Sequence, residues 1–267
     1  MEKSIKNLLI IIISFGIYFV VDDLFFKEIR DWFFEVTQQL GVSHIIAYSI
    51  TGVPLIVGTS LVGGSAKIWH NLGLDRSILK GMLFAIICTL PMYLGFSILF
   101  DLNLEINPNT ILIGVISAGF FEELYFRGFL FGLPFRKTKL GFILTVLFGA
   151  VYFGALHLHQ STELSEIIGI FLITFLGGIL FAWVYAEWNF NIWVPIFLHT
   201  FMNLAWELFS VSENALGSVY ANVFRFATIV LIIVLTIFYK KWNGSKFIIT
   251  KKTLLFQKKR LHYTKPN

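Results

Sequence analysis

Apolar residues in this chain form long, nearly uninterrupted runs, and not the alternating pattern of strands or the one-sided pattern of soluble helices. A helix that crosses a bilayer needs about 20 predominantly apolar residues. The runs lie at residues 7–21, 43–63, 81–100, 111–132, 140–159, 167–186, 191–209 and 219–239. The pattern therefore predicts an all-α, polytopic membrane protein with about eight transmembrane helices.

The first run resembles a signal peptide because Lys3 and Lys6 precede it. No small-residue cleavage site follows it, since the chain continues with Asp22 and Asp23, so we expect a retained anchor. Residues 24–40 place apolar side chains at helical spacing among charged ones. This spacing predicts a helix that lies in the membrane interface on the outer side.

Composition agrees with a membrane location, since 57% of the 267 residues are hydrophobic and 14% are charged. A typical soluble domain carries about 25% charged residues, so a water-soluble enzyme is excluded. The one cysteine, Cys88, has no partner for an internal disulfide. No repeat or second soluble domain is evident, and we expect residues 1–267 to form a single membrane domain.

The charged residues alternate from loop to loop, as the positive-inside rule requires of real spans. Seventeen of the 21 lysines and arginines fall in four segments, which are 3–6, 67–80, 136–139 and 240–265. The loops between them hold Lys27 and Arg30 among ten acids. We therefore expect a multi-pass membrane protein with both termini in the cytoplasm. Because the basic residues are spread over four segments, a nucleic-acid partner is not expected.

The segment 240–267 contains no acid and alternates lysines with apolar residues. Two interpretations fit this pattern. The segment lies on anionic lipid headgroups, which would make membrane lipids its partner, or it is a solvated flank that stops transfer of the last span.

Three charged residues interrupt the fourth run, and a carboxylate at the centre of a bilayer costs at least about 2.5 kcal/mol. Glu123 and Arg127 are four residues apart with the acid first, which favours an ion pair. Glu122 lies about 100° away around the helix and faces something else. An ion cluster that only holds helices together is the alternative interpretation.

Histidines occur in two further runs. His157 shares a helix face with Phe153, whereas His159 lies about 200° from it and is expected at the outer interface. His199 and Asn203 are four residues apart on one face of the seventh run. Each could merely link helices. Together with Glu122, however, they are the residue types that activate water and hold an oxyanion.

Two other polar residues of the last runs are placed near the outer surface. Glu207 is expected in the interface, and Arg225 is expected to extend outward to water. By length alone, Glu122 lies about 15 Å from the cytoplasmic end of its helix and His157 about 24 Å from the end of its own. Either the fifth span begins earlier or the helices are tilted.

The three patterns, Glu122-Glu123-x-x-x-Arg127, Phe153-x-x-x-His157 and His199-x-x-x-Asn203, resemble the motifs of the CAAX-protease and bacteriocin-processing family (Abi, or CPBP) of intramembrane proteases. The runs Leu176-Gly177-Gly178 and Asn191-Ile192-Trp193 also resemble that family. The likeness covers residues 110–205, a family-like catalytic core.

The resemblance implies an eight-helix endopeptidase with a catalytic cavity inside the membrane. Glu122 and His157 would activate the attacking water, and His199 and Asn203 would stabilise the oxyanion. Glu123 and Arg127 are the other two catalytic-site residues that the resemblance implies. Whether the family uses a metal is disputed, so zinc is an open cofactor. We favour hydrolysis without metal, since no His-Glu-x-x-His helix delivers two ligands.

The implied substrate is a peptide precursor or a lipidated protein, and the residues do not select between them or fix the oligomeric state. Two other classes of function stay open. One is a noncatalytic bacteriocin-immunity protein or membrane adaptor. The other is a transporter that uses Glu122 as a proton-relay carboxylate, although no pair of broken spans in matching halves supports it.

Overall fold

The computed structural model describes residues 2–257, which fold into helices joined by short loops. The helices of five residues or more are α1 (Glu2–Thr37), α2 (Leu40–Thr51), α3 (Val53–Gly63), α4 (Ile68–Leu72), α5 (Ile78–Leu99), α6 (Ile111–Phe131), α7 (Gly132–Lys137), α8 (Phe142–Leu156), α9 (Leu164–Glu187), α10 (Trp193–Leu208) and α11 (Val219–Trp242). Extended pairing within these residues is limited to one isolated bridge between Leu140 and Phe256. The predicted all-α class is confirmed.

Six helical segments of the described chain are long and apolar enough to cross a membrane. They are Glu2–Thr37, Leu40–Gly63, Ile78–Leu99, Phe142–Gln160, Leu164–Glu187 and Val219–Trp242. The expected spans at 111–132 and 191–209 correspond to α6, which carries three charged residues, and to α10, which has 16 residues. The polytopic membrane protein is therefore confirmed, whereas the number of eight spans is not.

Two helices depart from the expected pattern near the start of the chain. The separate interfacial helix expected at 24–40 is instead the continuation of α1 up to Thr37. The second run is broken at Gly52, because Pro54 lies in the first turn of α3 and can donate no backbone hydrogen bond. Gly52 also touches Tyr125, whose hydroxyl would clash with any added side chain there. This contact places α6 against the break.

The loops that hold the basic segments meet at one end of the bundle, which we call the basic end (residues 2–7, 64–80, 132–141, 188–192 and 240–257). The Asn7 amide donates to the Lys137 carbonyl over 3.0 Å. The Arg136 guanidinium donates to the carbonyl of Asn71. These contacts between distant parts of the chain show that the first three of the four segments predicted to share one side of the membrane do lie together.

The remaining loops meet at the other end. The backbone N–H of Gly41 donates to Asn109 Oδ1 over 2.8 Å, and that of Asn103 donates to the Leu208 carbonyl over 2.7 Å. We call this the acidic end (residues 38–41, 100–110, 157–163 and 209–218). The grouping agrees with the alternation of loop charges along the chain.

The part of the basic tail that the structure describes folds back onto the bundle. Gly141, Phe142 and Ile143 donate their backbone N–H groups to carbonyls of residues 253–255 over 2.6–2.9 Å. These are first-turn N–H groups of α8, which have no partner inside the helix. Up to residue 257 the tail therefore packs on protein, which neither expected interpretation included. Residues 258–267 of the predicted tail lie outside the described residues.

Candidate active site

The charged cluster of α6 lies deep in the bundle. Arg127 Nη1 is 3.0 Å from Glu123 Oε1, and the two side chains are 3% and 0% exposed. The pair predicted from the spacing is thus present. The helix is wound with π-type i→i+5 hydrogen bonds, as where the Gly132 N–H donates to the Arg127 carbonyl. Such winding is rare and is often found at functional sites.

Helix α10 brings His199 onto this cluster. A side chain at Gly119 would clash with the Thr200 hydroxyl, so the glycine permits the close approach of α6 and α10. His199 Nδ1 lies 2.8 Å from Glu123 Oε1. On its other side, His199 Nε2 is 3.9 Å from Glu122 Oε2. One imidazole therefore spans two carboxylates, of which Glu123 holds it by a hydrogen bond.

His157 follows the last residue of α8 and is half-buried. Its Nδ1 is 2.8 Å from the Phe153 carbonyl. A carbonyl oxygen can only accept, so Nδ1 carries the proton and the neutral ring leaves Nε2 free to accept one. His159 is exposed, as expected, and its Nδ1 bonds to the Leu156 carbonyl over 2.7 Å.

Asn203 lies one turn beyond His199 on α10. Its amide nitrogen donates to the Gly114 carbonyl of α6 over 2.8 Å. This bond consumes one of the two amide hydrogens. The second hydrogen and the amide oxygen stay available to a bound molecule.

Two aromatic rings also contact the Arg127 guanidinium. Arg127 Cζ lies 4.4 Å from the centre of the Phe153 ring and 5.6 Å from that of Phe181. Cation–π contacts of this kind stabilise a desolvated cation. Phe181 was not singled out from the sequence, because an apolar aromatic in an apolar helix carries no distinguishing signal.

A cavity of about 600 Å³ joins these groups. Five of the six predicted site residues line it, namely Glu122, Arg127, His157, His199 and Asn203. Glu123 does not line the cavity but is hydrogen-bonded to His199, which does. The structure thus places the three sequence patterns around one space, despite the different depths that helix lengths alone suggest for Glu122 and His157.

The acidic end of the cavity holds residues that the sequence did not point to. Trp206 and Gln160 line it, together with loop residues 212–215. Glu207 lines it as well and is half-buried, where an interfacial position was expected. Their signal in the sequence was weak, because polar residues near span ends are common in any membrane protein.

Arg225 is also found at this end, but not in the expected environment. Its guanidinium donates to the carbonyls of Ala215 and Leu216 over 2.9 Å and 3.4 Å. It also stacks on Trp206, with 4.2 Å from Cζ to the ring centre. Arg225 therefore extends toward the outer loop, as expected, and its guanidinium is bound there by protein groups.

A catalytic zinc needs three protein ligands at about 2.0–2.2 Å from the ion. Among residues 2–257, no group of three or more His, Cys, Asp or Glu side chains is arranged to hold a metal. The described side chains do not fit a three-ligand zinc centre, so we derive no step through a metal.

Comparisons with known proteins agree with the motifs. Residues 104–205, which contain all six site residues, match the family model described as "Type II CAAX prenyl endopeptidase Rce1-like". The curated protein "Putative membrane peptidase YdiL" of Bacillus subtilis (strain 168) is 34% identical over 99 residues, which are 36% of this chain and 35% of that protein. The match thus spans about a third of the relative's length. No solved structure matches significantly. The resemblance to CAAX-type proteases is confirmed over this stretch.

Proposed function

We propose that this protein is an intramembrane endopeptidase that hydrolyses a peptide bond of a membrane-associated substrate, either a peptide precursor of the bacteriocin or pheromone type or a lipidated, CAAX-type protein. The proposal includes a bacterial plasma membrane as its location, cytoplasmic termini and contact with membrane lipids. The family match and the peptidase name of the relative support it.

The observation that carries the proposal is the burial of Glu122 Oε2 without a hydrogen-bond partner. Within the described chain this oxygen is buried and has no hydrogen-bond partner, although a buried polar atom is normally satisfied. It lies across a 3.9 Å gap from His199 Nε2. This distance is too long for a direct hydrogen bond, and the Glu122 side chain, which is 22% exposed, lines the cavity. These features support Glu122 as the residue that holds the water that attacks a peptide carbonyl.

In the proposed reaction, the water oxygen forms a bond to the carbonyl carbon while its proton passes to the carboxylate of Glu122, which acts as general base. His157 Nε2, which is free to accept, assists from the other wall of the cavity. The C–N bond then breaks, and the proton returns from Glu122 to the leaving nitrogen. The products are a carboxylic acid and an amine, between which a proton passes to give a carboxylate and an ammonium.

The tetrahedral intermediate carries a negative oxygen, which needs preorganised donors. The second amide hydrogen of Asn203 is one donor. His199 supplies another when it is protonated at Nε2 as well as at Nδ1. The cluster of Glu122, Glu123, Arg127 and doubly protonated His199 is then electrically neutral, which a low-dielectric site favours.

We propose that the hydrolysis proceeds without a metal, because the cavity side chains do not form a zinc ligand set. Elemental analysis of the detergent-purified protein tests this point. Zinc below about 0.1 atoms per chain is expected. One zinc per chain that is lost on replacement of Glu122 or His199 would overturn the preference.

The function is tested with Glu122→Gln, which keeps the shape of the side chain but removes the base. Membrane peptides from cells that carry the wild type or the variant are compared by mass spectrometry. We expect a set of cleavage products that depends on Glu122, with a loss on the order of 10²–10⁴-fold in the variant. His157→Ala and His199→Ala should lose the same products. Glu163→Gln, an exposed acid outside the cavity, is the matched control.

Each alternative has its own outcome in this test. Protection against a peptide toxin that survives in the Glu122→Gln variant would indicate an immunity or adaptor protein. Ion or solute flux in liposomes that depends on Glu122, without any peptide product, would indicate a transporter. Equal peptide profiles in wild type and variant, at equal protein levels, would contradict proteolysis.

A further inference from the structure

Helices α9 and α11 form one wall of the catalytic cavity, and they are fastened together at the basic end. The Trp188 indole donates to Thr236 Oγ1 over 3.1 Å and stacks on Tyr239 with ring centres 4.4 Å apart. Beside them, Lys240 Nζ is 2.7 Å from Glu187 Oε2 in a fully buried ion pair. The two helices are therefore closed against each other at this end.

At the acidic end, the loop 209–218 closes the same wall. The Ala215 N–H donates to Gln160 Oε1 over 2.8 Å, and the Asn214 amide donates to Glu166 Oε2 over 3.4 Å. Leu216 packs on Gly169 so tightly that a side chain there would meet it at 2.8 Å. The loop thus ties the end of α10 and the start of α11 to the beginning of α9.

Between these two closures the wall is open. Leu176 of α9 and Phe226 of α11 both line the cavity, and they are 59% and 66% exposed. Next to Leu176, a Cβ placed on Gly177 would have no atom within 4 Å. We call this opening, bounded by Leu176, Gly177, Phe226 and Ile229, the lateral window.

The window lies at the level of the hydrocarbon. Gly177 is roughly 15–20 Å from either end of α9 at 1.5 Å per residue, and a bilayer core is about 30 Å thick. The surface around the window is apolar. An object that enters here comes from the lipid phase and not from water.

We propose that the lateral window admits an apolar segment of a membrane-embedded polypeptide, which enters between α9 and α11 in extended form to reach Glu122. This inference rests on the proposed function. An extended segment has unsatisfied backbone N–H and C=O groups in lipid. The cavity behind the window offers partners for them, since Asn203 and His199 line it. A lipid acyl chain would need no such polar groups.

The test measures the entry of a polypeptide into the cavity and does not depend on hydrolysis. A photoreactive benzoylphenylalanine is placed at Met202, inside the cavity, in a Glu122→Gln chain reconstituted in liposomes. The probe is a biotinylated single-span polypeptide of leucine and alanine with two central glycines. Crosslinking is expected, and Gly177→Phe should lower its yield at least fivefold because the ring fills the window.

The matched control is Gly16→Phe. Gly16 is also a helical glycine with no atom within 4 Å of an added Cβ, but it lies on α1 and does not line the cavity. The crosslinking yield of the Gly16→Phe variant should stay within twofold of that of the parent chain. An unchanged yield with Gly177→Phe would overturn the proposal, and so would an equal fall with Gly16→Phe.

A second measurement needs no substitution of Gly177. The photoreactive residue is placed at Phe226, or at Phe148 of α8, which is similarly exposed at 61% but does not line the cavity. At least fivefold more polypeptide should be captured at Phe226. Equal capture at both positions, or capture of phospholipid alone at Phe226, would contradict a peptide window. If the probe enters but Glu122-dependent products are never found, the proposed function fails and the window stands.

Discussion

Glu123 is the residue that organises the candidate site, although it does not touch the cavity. Its Oε1 is 3.0 Å from Arg127 Nη1 and 2.8 Å from His199 Nδ1. The carboxylate therefore balances a buried guanidinium and fixes the orientation of the imidazole. Removing one partner of a buried ion pair costs about 3–5 kcal/mol, because the other charge is left uncompensated.

We expect Glu123→Gln to destabilise the protein, with a fall in melting temperature of roughly 5–10 °C in detergent. The double variant Glu123→Gln/Arg127→Met should recover most of this loss, since Met fills the space between Phe153 and Phe181 without a charge. Product formation should stay low in both, because His199 has lost its carboxylate. Thermal unfolding and peptide mass spectrometry make the two measurements.

The combination separates a positioning role from a structural one. A double variant that is stable and fully active would show that Glu123 only neutralises Arg127. A double variant as unstable as the single one would show that the guanidinium itself is required for packing.

The spacing of residues within one helix predicted the Glu123–Arg127 pair. It did not predict that His199 would join them. His199 is 76 positions away from Glu123. Which residues of two membrane helices meet depends on their rotation and on close contacts such as Gly119 with Thr200. An apolar pattern on all sides of a helix leaves that rotation unspecified.

At the scale of elements, the basic tail is held by a buried ion pair that the sequence did not indicate. Glu187 ends α9 and Lys240 lies near the end of α11, so each resembled an ordinary charge at a span boundary. In the structure the Glu187 carboxylate also accepts backbone N–H groups of Ile248 and Ile249 over 2.8–3.2 Å. The pair thus joins α9, α11 and the returning tail.

Lys240→Met should therefore destabilise the protein by about 3 kcal/mol, because Glu187 stays buried with only neutral donors. Protease cleavage within residues 244–257 should become faster, since the tail loses its anchor. Lys241→Met is the matched control, because that neighbouring lysine is exposed and its loss should change stability by less than about 0.5 kcal/mol. Equal behaviour of the two variants would contradict an anchoring role.

Helix existence was predictable because long apolar runs have few other solutions in lipid. The residues at which the helices begin and end were harder to predict. The run after Val21 is charged enough to suggest a turn to the interface, yet α1 continues to Thr37. The signal for the break at Gly52 was present in Gly-Val-Pro, but a proline is also tolerated inside a membrane helix, as Pro91 is in α5.

At the scale of the whole molecule, the distribution of charge and the position of the cavity together predict on which side of the membrane the cavity opens. The loops at the basic end hold most lysines and arginines, and the cavity extends from the cluster of α6 toward Gln160 and Asn214 at the acidic end. If the positive-inside rule holds here, the polar mouth of the cavity faces away from the cytoplasm. Hydrolysis products would then leave on the outer side.

This orientation is tested by cysteine labelling in intact cells. Cys88 is buried, and its replacement by Ala gives a cysteine-free chain. Glu105→Cys at the acidic end should react with a membrane-impermeant maleimide added outside, since that position is exposed. Ser65→Cys and Ser245→Cys, which are exposed at the basic end, should react only after permeabilisation. The reverse pattern would place the cavity mouth in the cytoplasm, against the lysine and arginine bias that sets orientation in most membrane proteins.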